Sequence, residues 1–253
     1  MTDPGLPRIS VITACYNSEL VLSGCIDSVQ SQVDVEVEHL IKDGGSRDGS
    51  AELAQARLRS QDRFLVRPDR GIYDALNQGL DAATGDVLGL LHSDDRYPDH
   101  RVLADVAAAF AADPDLDLLY GHLQYRLPAG SLLRHWKARP PGRFDLALGW
   151  MPAHPAVFIR RRFWQTLGHY DPTYRIAGDY DWLLRAFRAK PRSRCLDRVI
   201  THMRTGGASN GSPAKLLRKY REDIRAMRRH APGWWPLTLA AKNLRKLGQF
   251  LAG

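Results

Sequence analysis

Apolar positions along the first 120 residues switch repeatedly between a two-residue and a helical period. The short β-branched run Arg8-Ile9-Ser10-Val11-Ile12-Thr13 reads as a strand, closed by the polar turn Ala14-Cys15-Tyr16-Asn17-Ser18. Behind a Ser18 cap, Leu22, Ile26 and Val29 recur at helical spacing. A second strand over 35–42 ends in Asp43-Gly44-Gly45-Ser46-Arg47-Asp48-Gly49-Ser50, a turn that leads into a helix over 51–59. Residues 64–66 make a third strand and 71–82 a second crossover helix. The apolar run 87–91 follows, then a helix over 102–110 and a strand over 116–120. Alternation of this kind predicts an α/β fold: a Rossmann-like, mostly parallel central sheet with right-handed crossovers, flanked by helices.

Beyond residue 121 the alternation gives way to short β-prone segments, 123–127 and 132–136, separated by Pro and Gly. The turn Arg139-Pro140-Pro141-Gly142 then leads to a strand-like stretch over 156–159. The expected organisation is one domain over 1–212, with a nucleotide-binding half of about 1–120 and an acceptor half of about 121–212, followed by a tail over 213–253. In that tail Leu216, Leu217, Tyr220, Ile224 and Met227 form an apolar stripe among Lys215, Arg218, Lys219, Arg221, Arg225, Arg228 and Arg229. Trp234-Trp235 and a second basic stretch through Leu244, Leu247 and Phe250 come next. These C-terminal amphipathic helices suit an anionic membrane surface, and they equally suit packing onto the catalytic domain.

Composition changes this picture little, whereas the distribution of charge changes it more. With 44% hydrophobic and 25% charged residues, the 253-residue chain is an ordinary globular protein. No apolar run approaches the roughly 20 residues that span a bilayer. Met1-Thr2-Asp3-Pro4-Gly5 lacks the order of a signal peptide, so a cytoplasmic location is expected, peripheral on the inner face of the plasma membrane if the tail binds lipid. Cys15, Cys25 and Cys195 are odd in number and have no CxxC spacing, which points to free thiols. Residues 213–253 hold ten Lys or Arg against Glu222 and Asp223, an excess equal to the +8 of the whole chain. A neutral body with a basic tail is not the footprint of a nucleic-acid-binding face, so no nucleic acid partner is expected.

The candidate chemistry sits at the end of the 87–91 run, in His92-Ser93-Asp94-Asp95. Adjacent carboxylates at a strand tip suit Mg²⁺ or Mn²⁺, whose remaining ligands come from water and substrate phosphates; the same Ser-Asp-Asp could instead cap the next helix. The other motifs favour the first reading. Thr13-Ala14-Cys15-Tyr16-Asn17, Asp43 to Gly49, Asp69-Arg70-Gly71-Ile72-Tyr73-Asp74-Ala75-Leu76-Asn77-Gln78-Gly79 and Ala83-Thr84-Gly85-Asp86 precede it. His154-Pro155-Ala156-Val157-Phe158, Gly178-Asp179-Tyr180-Asp181-Trp182 and Gly206-Gly207-Ala208-Ser209 come after. In this order, over roughly 8–210, the chain resembles an inverting family 2 glycosyltransferase with the GT-A fold, of the bacterial surface-polysaccharide or glycolipid type.

The resemblance implies a role for each matching position. Thr13, Tyr16 and Asn17 contact the nucleotide and Asp43 its base or ribose; Arg70 and the Gly71 turn hold the diphosphate; Asp74 and Asn77 line the cleft. Ser93 and Asp94 lie toward the ribose, and Asp95 is the metal ligand. His154 sits near the acceptor or the diphosphate, and Arg204 covers the phosphates as part of a lid. Asp179 is the general base that takes the proton of the attacking hydroxyl, with Asp181 as the alternative. His202 is left out of the ligand set as a structural histidine. Two departures stand out: Gly178-Asp179 where the family often has Glu-Asp, and His154-Pro155 where it has His-Gln. The implied activity is metal-dependent, inverting transfer from a nucleotide-diphosphate sugar to a hydroxyl of a saccharide or lipid-linked acceptor. A non-catalytic sugar-nucleotide-binding scaffold and a nucleotidyltransferase are the alternatives; the latter usually needs a glycine-rich basic loop after the first strand, which 13–18 lacks.

Overall fold

The computed structural model describes residues 5–142, 144–146, 148–205, 213–230 and 235–248, the side chains of 213 and 242–248 excepted. The Gly206-Gly207-Ala208-Ser209 motif, Trp234, Phe250 and the side chains of Leu244 and Leu247 lie outside them. The first half runs β1 (Ile9–Cys15), α1 (Glu19–Gln30), β2 (Val37–Asp43), α2 (Ser50–Arg57), β3 (Arg63–Val66), α3 (Ile72–Ala82), β4 (Val87–Leu90) and α4 (Val102–Ala112). The second runs β5 (Leu118–Arg126), β6 (Leu132–Trp136), β7 (Val157–Arg160), α5 (Arg161–Leu167), α6 (Gly178–Arg188), β8 (Ser193–Arg204), α7 (Pro213–His230) and α8 (Trp235–Gly248).

These strands build one mixed sheet in the order β3-β2-β1-β4-β7-β5-β6, with β8 also on β5. β1 pairs in parallel with β2 on one side, Cys15 opposite Asp43, and with β4 on the other, Ile12 opposite Leu90. The chain therefore leaves β1 in opposite directions across the sheet, and a crevice opens at the carboxyl ends of β1 and β4, where open α/β sheets bind ligands. β7 runs antiparallel between β4 and β5.

Period-two alternation sends Ile12, Leu88 and Leu90 into an apolar layer under α3, α5 and α6, and Ile9, Val11 and Val87 into a second layer under α1 and α4. α3 lies so close to β1 that a Cβ on Gly79 would sit 2.5 Å from Ile12 Cγ2. α7 joins the first layer through Ala226 and Met227, while Leu216, Leu217 and Tyr220 at its start stay exposed.

Two elements differ from the sequence reading. The stretches read as 116–120 and 123–127 are one strand, β5, whose register slips between Tyr120 and Leu123 against β8. β8 itself was not anticipated. Charged residues interrupt Ser-Arg-Cys-Leu-Asp-Arg-Val-Ile-Thr-His-Met-Arg, and the same register shifts blur its alternation of buried and exposed positions.

Candidate active site

β4 ends at the crevice and the chain turns through His92-Ser93-Asp94-Asp95. Ser93 Oγ lies 2.9 Å from Ser18 Oγ, which joins this tip to the loop after β1. Asp95 is fully buried. Its Oδ1 accepts the Arg204 backbone N–H at 3.1 Å, and its Oδ2 is buried with no hydrogen-bond partner. Burial, and then the charge of Asp94, hold the Asp95 carboxyl well above the usual carboxylate range. A buried carboxylate oxygen left unmatched is costly in the apo protein, and a divalent cation is the partner that would satisfy it. Among the described residues no group of three His, Cys, Asp or Glu could hold a metal. The donor set thus fits an ion that shares its coordination between one or two carboxylates, water and substrate oxygens.

Beside this tip Asp94 lines a cavity of 200 Å³ with Arg96, Arg126, His202 and Arg204, so positive charge faces the carboxylate. Burial, followed by Arg126 and Arg96, pushes His202 down to about 4, and the imidazole is neutral near pH 7.

Asp179 reaches the crevice from the first turn of α6. It is half-buried, and Tyr73 Oη, which donates to the Ile176 carbonyl at 2.7 Å, lies 3.2 Å from its Oδ1. A Cβ on Gly178 would be 2.8 Å from the Tyr73 ring, so α6 begins in close contact with α3. Two histidines share the field of this carboxylate. Burial dominates in both and lowers their pKa: His154 falls to about 4 against the opposing charge of Asp179, and His92 falls against those of Asp94 and Asp179. His154 Nε2 is 2.7 Å from Tyr170 Oη, and both side chains are buried. Asp181 faces the other way. Its Oδ1 accepts from Tyr174 Oη at 3.0 Å and lies 2.9 Å from His230 Nε2, and Arg185 is 3.7 Å from Oδ2. These contacts remove it as the alternative base.

The β1 and β2 side of the crevice is built from turns. Asp43 is buried, and its carboxylate accepts the N–H groups of Gly45 and Ser46 at 2.8 Å and the Ser46 hydroxyl at 2.5 Å. Its oxygens therefore shape the loop after β2. Asn17, at φ 49°, ties the first loop to this one: its Oδ1 accepts the Arg47 N–H and its own N–H donates to Ser46 Oγ, both at 2.9 Å. Tyr16 is exposed beside Gly44. Gly71 has φ 126°, a conformation that few side chains tolerate, and starts α3. Asp74 Oδ2 accepts the Arg70 backbone N–H at 2.9 Å and lies 3.4 Å from Arg70 Nε, while most of the Arg70 side chain stays in solvent.

Two expected cleft residues do not reach it. The Thr13 side chain points into the interior, with Oγ1 3.0 Å from His39 Nε2 and 3.6 Å from Cys25 Sγ, because its position in β1 faces α1. Asn77 is also buried. Its Nδ2 donates to the Tyr170 carbonyl and its Oδ1 accepts the Tyr170 N–H, each at 2.9 Å, which clamps α3 to the segment before α6. Other residues at the site were not singled out from sequence. His92 and Tyr73 lie inside quoted motifs, and their neighbours were the only available signal. Lys42, buried with Nζ 2.6 Å from Asp69 Oδ2, shows itself only through burial. Asp69 in turn accepts the Gly71 N–H at 3.0 Å.

A family model described as glycosyl transferase family 2 matches residues 10–177. The chain belongs to glycosyl transferase family 2. A PGL/p-HBAD biosynthesis glycosyltransferase of Mycobacterium bovis is 33% identical over 187 residues, 72% of this chain and 70% of that one. An uncharacterised glycosyltransferase of Mycobacterium tuberculosis is 32% identical over 185 residues, 71% and 69% of the two chains. Among solved structures, the mannosyltransferase PcManGT from Pyrobaculum calidifontis, in complex with GDP-Man and Mn²⁺, superposes with a TM-score of 0.67 at 18% identity, over 94% of this chain and 70% of that one. S. aureus TarS 1–349 in complex with UDP gives 0.62 at 18% identity, over 88% and 66%. This chain spans 40% of the longer TarS structure. The family 2 chain therefore has the GT-A architecture of these enzymes and is a glycosyltransferase.

Proposed function

We propose that this glycosyltransferase moves a sugar, with inversion and with the help of a divalent cation, from a nucleotide-diphosphate donor to a hydroxyl of a saccharide or glycolipid acceptor in cell-surface polysaccharide or glycolipid biosynthesis. The observation that carries the proposal is the pairing of an Asp94-Asp95 tip, with one buried oxygen unpartnered, and a half-buried Asp179 in the same electrostatic neighbourhood. The GDP-Man and Mn²⁺ held by the mannosyltransferase and the role of the mycobacterial relative in PGL biosynthesis support the donor, cation and acceptor classes.

Asp95, with Asp94, would hold the cation, which when bound neutralises charge on the departing diphosphate. The rest falls to the side chains of the chain itself. Arg70, exposed at the start of α3, and Arg204, beside Asp94, supply positive charge for the diphosphate. Tyr16 and the Asn17 loop flank the nucleoside. Asp179 takes the proton of the acceptor hydroxyl as that oxygen attacks the anomeric carbon opposite the leaving group, which inverts the centre. Tyr73 orients the carboxylate from the side of α3. Burial lowers the pKa of His92 and His154, so both imidazoles beside Asp179 are neutral near pH 7.

Calorimetry over a panel of nucleoside diphosphates and sugar nucleotides, with and without Mn²⁺, tests this reading. Cation-dependent binding of one donor class, lost in Asp95→Ala, is expected; no binding by any member at millimolar concentration would favour a scaffold role. The start of α7 adds a partner: exposed Leu216, Leu217 and Tyr220 alternate with Lys215, Arg218, Lys219 and Arg221, the composition of a helix lying on an anionic membrane. No helix among the described residues is long and apolar enough to cross one. Co-sedimentation with phosphatidylglycerol vesicles, weakened by salt and absent with phosphatidylcholine, is the expected result.

A further inference from the structure

Helix α6 starts without a side-chain cap of its own: Ala177 occupies the capping position, and no local side chain meets the free N–H groups there. The three residues that lead into it find their acceptor on α7. Glu222 receives the N–H of Arg175 at 3.1 and 3.2 Å on its two oxygens, and its Oε2 receives those of Ile176 at 2.8 Å and Ala177 at 2.9 Å. These three residues lead directly into Gly178-Asp179. The Ile176 peptide is gripped from two sides, because its carbonyl accepts from Tyr73 Oη at 2.7 Å while its N–H goes to Glu222. Eight positions further along α7, His230 holds Asp181, so the same helix fixes α6 a second time, one residue pair beyond the base. A carboxylate at a helix N-terminus also meets the positive end of the helix dipole.

We propose that Glu222 is a positioning residue for Asp179, and that the basic C-terminal helix is part of the catalytic apparatus through it. The inference rests on the reading of Asp179 as the base, and it extends the machinery beyond the residues that the family model matches. Glu222 touches no reacting atom in this role. It sets the position of the first turn of α6, and hence where the Asp179 carboxylate stands relative to the acceptor hydroxyl. Misplacing a catalytic group by about 1 Å costs on the order of 10²-fold in rate.

The test uses the full chain and the sugar nucleotide that the binding panel selects, with turnover read as the nucleoside diphosphate set free when the sugar passes to water or to an added acceptor. Glu222→Ala is expected to lower kcat by roughly 10²-fold, leave the donor KM within about threefold, and speed hydrogen exchange at the Ile176 and Ala177 amides. Glu222→Gln keeps one acceptor oxygen and the side-chain volume, and its kcat falls between wild type and Glu222→Ala; it carries the test should the alanine variant fail to fold. In an Asp179→Asn background Glu222→Ala should cost nothing further, since there is no base left to position. Wild-type kcat in Glu222→Ala, an equal loss of donor affinity, or a loss that multiplies with Asp179→Asn would each overturn the positioning role while leaving the base in place. Turnover retained by Asp179→Asn would instead overturn the base, and the role of Glu222 with it.

Discussion

The two sides of the crevice are held by different kinds of contact. On the side proposed for the nucleotide, β1, β2 and β4 deliver their polar residues at strand ends, and the loops that follow are fastened by bonds within them or to the next loop, as Asp43 to Gly45 and Ser46 or Asn17 to Arg47. On the side proposed for the acceptor, α6 is placed almost entirely by residues remote in sequence. Tyr73 lies 106 positions before Asp179, Asn77 binds Tyr170 across 93, and Glu222 binds Ala177 across 45. Parallel strands in register fix the first side cheaply, because the ladder that forms the sheet also aligns the tips. The second side must be assembled by tertiary contacts between segments far apart in the chain.

The sharpest test of that division separates the two carboxylates of α6. Asp179→Asn should reduce turnover by about 10²–10⁴-fold while nucleotide affinity and melting temperature stay near wild type, since Asp179 is only half-buried. Asp181→Asn should do the reverse. It breaks a buried arrangement with His230, Tyr174 and Arg185 and should cost on the order of 3 kcal/mol of stability, seen as a lower urea midpoint. Tyr174, His230 and Arg185 hold the Asp181 carboxyl below its usual range despite an opposing burial effect. The stability it contributes is therefore complete above the unfolded value near 3.8 and is lost as pH falls through the lower folded value, so Asp181→Asn should flatten the acid limb of unfolding there. Equal effects of both changes on turnover would mean that α6 acts as one unit.

This contrast also explains what the sequence disclosed. The alternation of strands and helices, the place of Asp94-Asp95 just past the end of β4 and the approximate helix limits through residue 112 follow from periodicity and turn residues, which are local quantities. β8 escaped because its alternation is broken by charges and by register slips against β5. Thr13 and Asn77 read as cleft residues because they lie in strings that resemble the family's motifs, at a strand end and on a helix face. Their orientation depends on which face of β1 and α3 meets the core, and that is set by partners far along the chain. Glu222 had no local signal, being one acid in a basic helix.

Asn77→Ala measures the strength of the long-range clamp. It leaves the N–H and C=O of buried Tyr170 without partners and should cost about 2–3 kcal/mol, with nucleotide binding unchanged. A loss of nucleotide affinity instead would return Asn77 to the cleft. Acidification probes both sides at once, because His39 lies on the nucleotide side and His154 on the acceptor side, and burial lowers each to about 4. Between the unfolded value near 6.5 and that folded value, the unfolded chain binds more protons, so stability falls as pH drops through this window. Each histidine should remove about 2 kcal/mol between pH 7 and pH 5. His39→Gln and His154→Gln should each shrink the drop; a single two-state transition in both variants would show that the halves unfold together despite their different construction.

The smallest effect belongs to Thr13. Thr13→Val replaces the hydroxyl by a methyl group of similar size, removing the 3.0 Å contact with His39 Nε2 and the longer one with Cys25 Sγ. The His39 nitrogen then stays buried with no partner in reach, for a cost of about 1 kcal/mol, while the β1 ladder to Ile41 is untouched. Nucleotide affinity should not change, because the side chain lies on the α1 face of the sheet and the crevice opens past the strand end. A tenfold loss of affinity would show that β1 transmits a change in its packing to the Tyr16-Asn17 loop, and would remove the distinction between a nucleotide side fixed by the strand ladder and an acceptor side assembled from afar.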